Sequence, residues 1–104
     1  MHLTYDFQAR VPSALAELIP TYLDNRRREI QTLSEALMAN DFDKLRFLGH
    51  RMRGGGKSYG FAGVSVIGDQ IEHYAKQKDA DSLRNLLPIY ADYLARVQIT
   101  YEAR

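Results

Sequence analysis

The segment that decides the fold, Leu45–Phe61, reads LRFLGHRMRGGGKSYGF. Its core-facing residues recur at helical intervals: Leu45, Leu48, Met52 and Tyr59. At roughly 100° per residue they fall on one stripe, and His50 lies about 180° from the centre of that stripe. The pattern predicts a helix that begins near Asp41, buries its apolar stripe and exposes His50 to solvent.

Cations and a glycine surround the predicted imidazole. Arg53, Gly54 and Lys57 follow His50 by three, four and seven residues, and Arg46 precedes it by four. On a helix, these offsets place all of them on the face of the histidine. A basic and sterically open patch of this kind suits a nucleophilic histidine that meets a phosphoryl group carried by another protein.

The glycine triplet 54–56 is costly in a helix, at roughly 1 kcal/mol per glycine relative to alanine. We expect Gly54 to leave the space one turn after His50 free, so that a partner can reach the ring. Gly55 and Gly56 are predicted to face the buried side, where they would let a neighbouring helix approach closely. Gly60 is predicted to end the helix.

Apolar residues at helical intervals predict three further helices. The first follows Ser13 and is bent or restarted near Pro20, and the third runs from Phe61 to Tyr74. The fourth opens near Ala80 and continues to Tyr101, with Pro88 tolerated in its first turns. Because the connections are short, we expect an all-α, antiparallel, up-down four-helix bundle. The segment 1–11 has no clear period and is expected to cap one end, or to form a short helix there.

Size and composition bound the possible functions. With 104 residues, the chain is expected to form one domain, 1–104. Apolar residues at 45% and charged residues at 26% are typical of a soluble globular protein. A net charge of +1 gives no general reason to expect nucleic acid or a membrane as partner, and the absence of cysteine excludes disulfides and thiolate chemistry. Without a signal peptide or a long apolar run, we expect a cytoplasmic protein.

Other interpretations of the central segment fit less well. Gly56-Lys57-Ser58 matches the end of the phosphate-binding pattern G-x-x-x-x-G-K-[ST], but that pattern needs a glycine where Arg51 stands and a preceding strand. A functionless surface histidine would leave the glycine triplet unexplained. Asp69 and His73 are four residues apart, yet two ligands do not make a metal site. The run 26–28, three arginines, is interpreted as a solvated helix face.

One family accounts for these features together. The run His50-x-x-Arg53-Gly54, with Gly60 six residues later, resembles the H-x-x-[KR]-G signature of histidine-containing phosphotransfer (HPt) domains. The approach Leu45-Arg46-Phe47-Leu48-Gly49 and the downstream Ile67-Gly68-x-x-Ile71-Glu72 are also similar to the family's pattern. The resemblance extends roughly over residues 15–101.

The resemblance implies a four-helix bundle in which His50 is phosphorylated, through Nε2, by the phospho-aspartate of a receiver domain. The donor would belong to a hybrid histidine kinase, and the group would pass on to the receiver of a response regulator. Arg53 and Lys57 would offset phosphoryl charge. Arg46, Phe47 and Phe61 are predicted to dock the partner, although Phe61 is equally well placed for the core.

The same resemblance implies a carrier without autonomous kinase activity, usually monomeric. No cofactor or metal is expected in this chain, because magnesium would sit in the partner's acidic pocket and no clustered carboxylates are evident near His50 in the sequence. A helical adaptor that binds a receiver or kinase without phosphoryl chemistry is the alternative function. Such an adaptor would tolerate the loss of His50. The donor, the acceptor and the net direction of transfer are left open.

Overall fold

Four helices joined by short turns form most of the computed structural model, which describes residues 6–103. The helices are α1 (Ile19–Met38), α2 (Phe42–Tyr59), α3 (Ala62–Lys76) and α4 (Ala80–Arg96). Each helix packs against the next, and α4 returns to α1, which closes a four-helix bundle as predicted. None of the helices in the described part is sufficiently long and apolar to cross a membrane.

Local signals in the sequence set the ends of these helices. Asp41 caps α2 by accepting a hydrogen bond from the Lys44 amide at 3.1 Å. Asp79 caps α4 in the same way through Ser82, and these hydrogen bonds lower the pKa of the Asp79 carboxyl. Gly60 ends α2 with a φ of 91°, a left-handed conformation that favours glycine. The predicted start and stop of α2 are therefore confirmed.

Pro20 restarts the first helix, as predicted. A 3-10 helix, Ser13–Leu18, precedes α1, and Pro20 then occupies the first turn of α1. In the first turn a missing backbone N–H breaks no intrahelical hydrogen bond, so the proline is tolerated there.

A small parallel sheet stands where the sequence predicts the end of the fourth helix and, at the N-terminus, a cap or a short helix. Strand β1 (Gln8–Pro12) pairs with strand β2 (Gln98–Glu102), so a short helix over residues 8–11 and a fourth helix reaching Tyr101 were both wrong. The backbone becomes extended at Val97, and the β-branched and aromatic residues that follow favour a strand. Ala9 and Val11 on β1 are fully buried, so the N-terminal segment caps the core as a strand. The first five residues of the predicted cap lie outside the described part.

Phe61 belongs to the core and does not contribute to a docking surface. It follows the left-handed turn at Gly60, which directs the chain back into the bundle, and its side chain is completely buried. The Phe61 ring lies 5.1 Å from the ring of Tyr22, which also stacks on Tyr59 at 4.3 Å. The prediction of Phe61 as a docking residue is therefore wrong, because the tight turn leaves its ring no outward path.

Candidate functional site

His50 projects from the outer face of α2. Its side chain is 62% exposed, whereas Leu48 and Met52 beside it in the sequence are buried. The buried stripe holds the helix to the core, and the imidazole stands on the opposite side. The predicted exposure of His50 is confirmed.

A carboxylate from the neighbouring helix contacts the imidazole. Oε2 of Glu72, on α3, lies 3.3 Å from Nδ1 of His50, and the Glu72 side chain is only 11% exposed. Arg53, one turn after His50, places Nη2 3.0 Å from the same Nδ1. Arg53 Nη1 also forms ion pairs with Glu72 Oε1 at 3.1 Å and with Asp69 Oδ1 at 3.2 Å. The histidine, the arginine and the glutamate thus form one charged cluster.

Two neighbours compete for the same ring nitrogen of His50. Arg53 can only donate a hydrogen bond, so its contact requires a lone pair on Nδ1. Ionised Glu72 can only accept, so its contact requires a proton on Nδ1. In the neutral ring, the Glu72-bonded tautomer leaves the lone pair on Nε2, whereas the Arg53-bonded tautomer puts the proton there. The balance between the two contacts therefore decides which nitrogen is nucleophilic.

Glycines at the α2–α3 crossing bring Glu72 to the histidine. A Cβ on Gly49 would lie 2.6 Å from the backbone nitrogen of Glu72, and a Cβ on Gly68 would lie 2.6 Å from Met52 Cβ. Contacts this short would force the helices apart, so both positions must lack side chains. The residues adjacent to this crossing, His50 and Glu72, consequently meet across the helix pair.

The glycine triplet divides into two open positions and one packed position. A Cβ on Gly54 would meet nothing within 4 Å, so its predicted role in keeping the approach to His50 open is consistent with the structure. Gly55 is equally open, and its predicted place on the buried side is wrong. Gly56 is buried against Ser65, where a Cβ would lie 2.6 Å from the Ser65 nitrogen. Ser65 Oγ donates a hydrogen bond to the Arg53 carbonyl at 2.7 Å and fixes this packing.

The other predicted site residues lie on two sides of the cluster. Arg46 and Phe47 line a shallow groove of about 320 Å³ together with His50 and Glu72, and Phe47 is 59% exposed. Lys57 is exposed and borders a separate groove of about 400 Å³ with Arg53 and Asp69. The structure therefore brings Arg46, Phe47 and Arg53 to the histidine. Lys57 lies further along α2 without a direct contact to the ring among the described residues.

The Hpt domain family matches residues 17–100. The chain belongs to the Hpt domain family. Hpt domains serve histidine phosphotransfer in phosphorelays, are phosphocarriers without intrinsic catalytic activity, and interact with receiver domains of two-component systems. Comparison with curated proteins and with solved structures gave no match.

A buried carboxylate on α1 contacts the arginine that follows His50 on α2. Glu29 on α1 accepts a hydrogen bond from the Tyr90 hydroxyl at 3.2 Å, and Arg26 Nε lies 3.3 Å from the same carboxylate. Burial raises the pKa of Glu29, while the guanidinium of Arg26 opposes that effect. Arg51 Nη2 lies 3.7 Å away, and its guanidinium covers the Phe47 ring at 5.4 Å. The buried glutamate thus orients an exposed arginine–aromatic pair beside the histidine.

The arginine run 26–28 is only partly a solvated face. Arg27 pairs with Asp24 at 3.1 Å on the surface, and Arg28 is exposed, as predicted. Arg26 instead lies half-buried over the Tyr22 ring, 5.0 Å from its centroid. Burial raises the pKa of Tyr22 to about 12, against the opposing effect of Arg26.

Two carboxylates near His50 were missed in the sequence. From the sequence, Glu72 has no role beyond its place in the family's pattern, and Asp69 is paired only with His73. In the structure Asp69 pairs with Arg53, and His73 is exposed with its ring edge on Tyr74. No group of three or more potential ligands among residues 6–103 could hold a metal ion. On a helical wheel of α3, Glu72 falls on the buried stripe. Glutamate is rarely buried unless a charged or hydrogen-bonding group pairs with it, so this position signals such a partner.

Proposed function

We propose that His50 accepts a phosphoryl group from the phospho-aspartate of a receiver domain and passes it to the receiver of a response regulator. One observation carries the proposal: an exposed imidazole has its Nδ1 3.3 Å from the nearly buried carboxylate of Glu72. This pairing can hold the proton on Nδ1 and leave Nε2 as the nucleophile. His50 is also the residue that begins the H-x-x-[KR]-G pattern.

The transfer needs positioning more than covalent work from the protein. Nε2 of His50 attacks phosphorus in line, the P–O bond to the aspartyl carboxylate breaks, and the departing carboxylate keeps the electron pair. The ring becomes positively charged as the N–P bond forms, and Glu72 offsets that charge through the Nδ1–H hydrogen bond. Attack by the aspartate of a second receiver reverses these steps and restores neutral His50.

Arg53 has two roles in this proposal. Its ion pairs with Glu72 and Asp69 hold the carboxylate at the ring, and its charge is available to the phosphoryl oxygens as the group arrives. An arginine keeps a permanent charge and a planar geometry, so both contacts can be held at once. Lys57 and Arg46 extend the positive surface along α2 and would attract the acidic site of a receiver.

Phe47 supplies apolar area for the docked receiver. It is a large exposed aromatic residue in the groove of His50, and Arg51 covers its ring. Arg51 in turn is oriented by buried Glu29 at 3.7 Å. An aromatic anchor held in place loses little entropy on binding, which favours it as the centre of an interface. We propose no cofactor in this chain and place magnesium in the partner.

A pulse-chase experiment tests this function. The purified chain is mixed with a receiver phosphorylated on aspartate, and intact mass should show a gain of one phosphoryl group that acid removes. A second, unphosphorylated receiver is then added, and the label should leave the chain. Absence of labelling with every receiver of the source organism would contradict the carrier proposal.

Replacing Glu72 by Gln should slow phosphoryl transfer while the bundle stays folded. Loss of the charge-assisted hydrogen bond removes about 1.5–3 kcal/mol, which corresponds to roughly a 10- to 150-fold lower rate constant. Arg53 should then be the main hydrogen-bond partner of His50 Nδ1, so the population of the Nε2–H tautomer should increase. Rapid-quench kinetics measures the rate, and nitrogen NMR of labelled histidine measures the tautomer. Asp69→Asn, which alters only the outer partner of Arg53, should have a smaller effect on both.

A side chain at position 54 should obstruct the receiver. Gly54→Leu places a branched chain one turn from His50 in open space, so the fold should persist while transfer slows by about tenfold or more, equivalent to about 1.4 kcal/mol of lost docking. Gly55→Leu is the matched control. It also replaces a glycine of low helix propensity, but its side chain lies about 100° further round the helix. Equal rates for Gly54→Leu and wild type would show that Gly54 does not provide access.

A further inference from the structure

The outer edge of strand β2 is open in the described part of the chain. In the β1–β2 pair the Gln98 amide donates to the Phe7 carbonyl at 2.7 Å, so Gln98, Thr100 and Glu102 direct their backbone groups toward β1. Backbone direction alternates along a strand, so Ile99 and Tyr101 direct theirs away from β1. Neither residue has an outward backbone partner among residues 6–103.

The opposite edge of the sheet is protected, which makes the open edge unusual. On β1, the Arg10 amide donates to the Gly60 carbonyl at 3.2 Å, and Pro12 has no N–H to offer. On β2, by contrast, the sequence QITYE contains neither proline nor lysine. Native proteins commonly shield an edge with these residues or with a bulge. A two-stranded sheet is also marginal on its own and gains from further strands.

The sequence of β2 is complementary to itself in the antiparallel direction. If Thr100 faces Thr100 of a second copy, Ile99 lies opposite Tyr101 in both halves, and these are the residues whose backbone groups point outward. Each such pair exchanges two hydrogen bonds. The cross-strand neighbours are then apolar with aromatic, threonine with threonine, and Gln98 with Glu102, with no like charges opposed.

We propose that two copies of this chain associate through the β2 edges and form a continuous four-stranded sheet, β1-β2-β2-β1, about a twofold axis at Thr100. A closed twofold dimer requires antiparallel edges, and the register above satisfies that symmetry. The resemblance to HPt domains implies monomers, so the proposed dimer would distinguish this chain from usual members of the family. It uses no residue of the His50 site and goes beyond the proposed transfer function.

The sheet lies at the Gly60 end of α2, through the contact of Arg10 with the Gly60 carbonyl. His50 precedes Gly60 by ten residues, which is about 15 Å along the helix. The dimer therefore leaves the acceptor histidines apart from the interface. Phosphoryl transfer to each copy should be independent of dimerisation.

Single cysteines provide the test, because the chain has none of its own. The twofold register places Thr100 opposite Thr100 in a non-hydrogen-bonded pair with Cα atoms about 4.5 Å apart, within the range of a disulfide. Under mild oxidation, Thr100→Cys should form covalent dimers about tenfold or more faster than Gln98→Cys, because paired edges raise the effective concentration of the thiols. Mixing Gln98→Cys with Glu102→Cys should restore rapid cross-linking.

Sedimentation equilibrium provides an independent measurement. The weight-average mass of wild type should rise from monomer toward dimer with concentration. In the monomer, Thr100→Glu places its carboxylate beside Arg10, so the variant should remain folded by circular dichroism. In the dimer the two glutamates would face each other, so the variant should stay monomeric. Equal oxidation rates for Thr100→Cys and Gln98→Cys, or a monomeric wild type at every concentration, would overturn the proposal.

Discussion

Replacing His50 by Gln should abolish phosphoryl acceptance while leaving the bundle intact. Glutamine has a similar length but no ring nitrogen that can form a stable N–P bond. Because the His50 side chain is 62% exposed, the free energy of unfolding should change by only about 0.5 kcal/mol. Intact-mass measurement after incubation with a phosphorylated receiver should show no gain for the variant, and thermal unfolding should resemble wild type.

His73→Gln is the matched control for this variant. His73 is also exposed, lies on the adjacent helix and has no contact with the charged cluster among the described residues. It should be labelled like wild type. Equal labelling of His50→Gln and wild type would assign the acceptor elsewhere. If His50→Gln also binds its receiver and signals normally, the adaptor function would replace the carrier.

The part of the fold that was predictable from sequence depends on local periodicity. Leu45, Leu48 and Met52 define the buried stripe of α2, and that stripe alone requires His50 to face solvent. Asp41 and Gly60 mark the helix ends through capping chemistry that acts within a few residues. These features involve neighbours in the chain, so one sequence contains the information.

The missed features depend on pairing between distant segments. Strand β1 pairs with a segment 90 residues further along the chain, and neither five-residue strand has a strong pattern of its own. The contact between Glu72 and His50 depends on the rotation of two helices about their crossing, which periodicity does not specify. Gly55 shows the same limit, because whether it faces a neighbouring helix depends on the position of α3, which periodicity does not specify.

Phe61 shows how a turn overrides sequence proximity. It directly follows α2 and His50 in the chain, which favours a place near the predicted docking surface. The left-handed conformation of Gly60 reverses the chain, however, and the aromatic ring enters the core against Tyr22. Phe47, three residues before His50 on the same helix, remains outside because no turn intervenes.

The largest structural effect is expected at the α2–α3 crossing. Gly68→Ala would place a Cβ 2.6 Å from Met52 Cβ, 2.7 Å from the Gly49 carbonyl oxygen and 2.8 Å from the Arg53 amide nitrogen. Two of these atoms are backbone, so relief requires the helices to separate. Overpacking costs about 1–3 kcal/mol, and clashes with backbone atoms belong to the upper part of that range, above the roughly 1 kcal/mol of helix propensity that alanine gains over glycine. Denaturant unfolding should therefore show a net loss of stability.

Gly55→Ala gives the matched opposite result, because a Cβ there meets nothing within 4 Å. That variant should gain about 0.5–1 kcal/mol from helix propensity alone. Gly68→Ala should also withdraw Glu72 from His50, since the same crossing sets their distance. Its transfer rate should then fall even at temperatures where the bundle remains folded. Gly68→Ala with wild-type stability and wild-type transfer would show that the close crossing does not position the carboxylate.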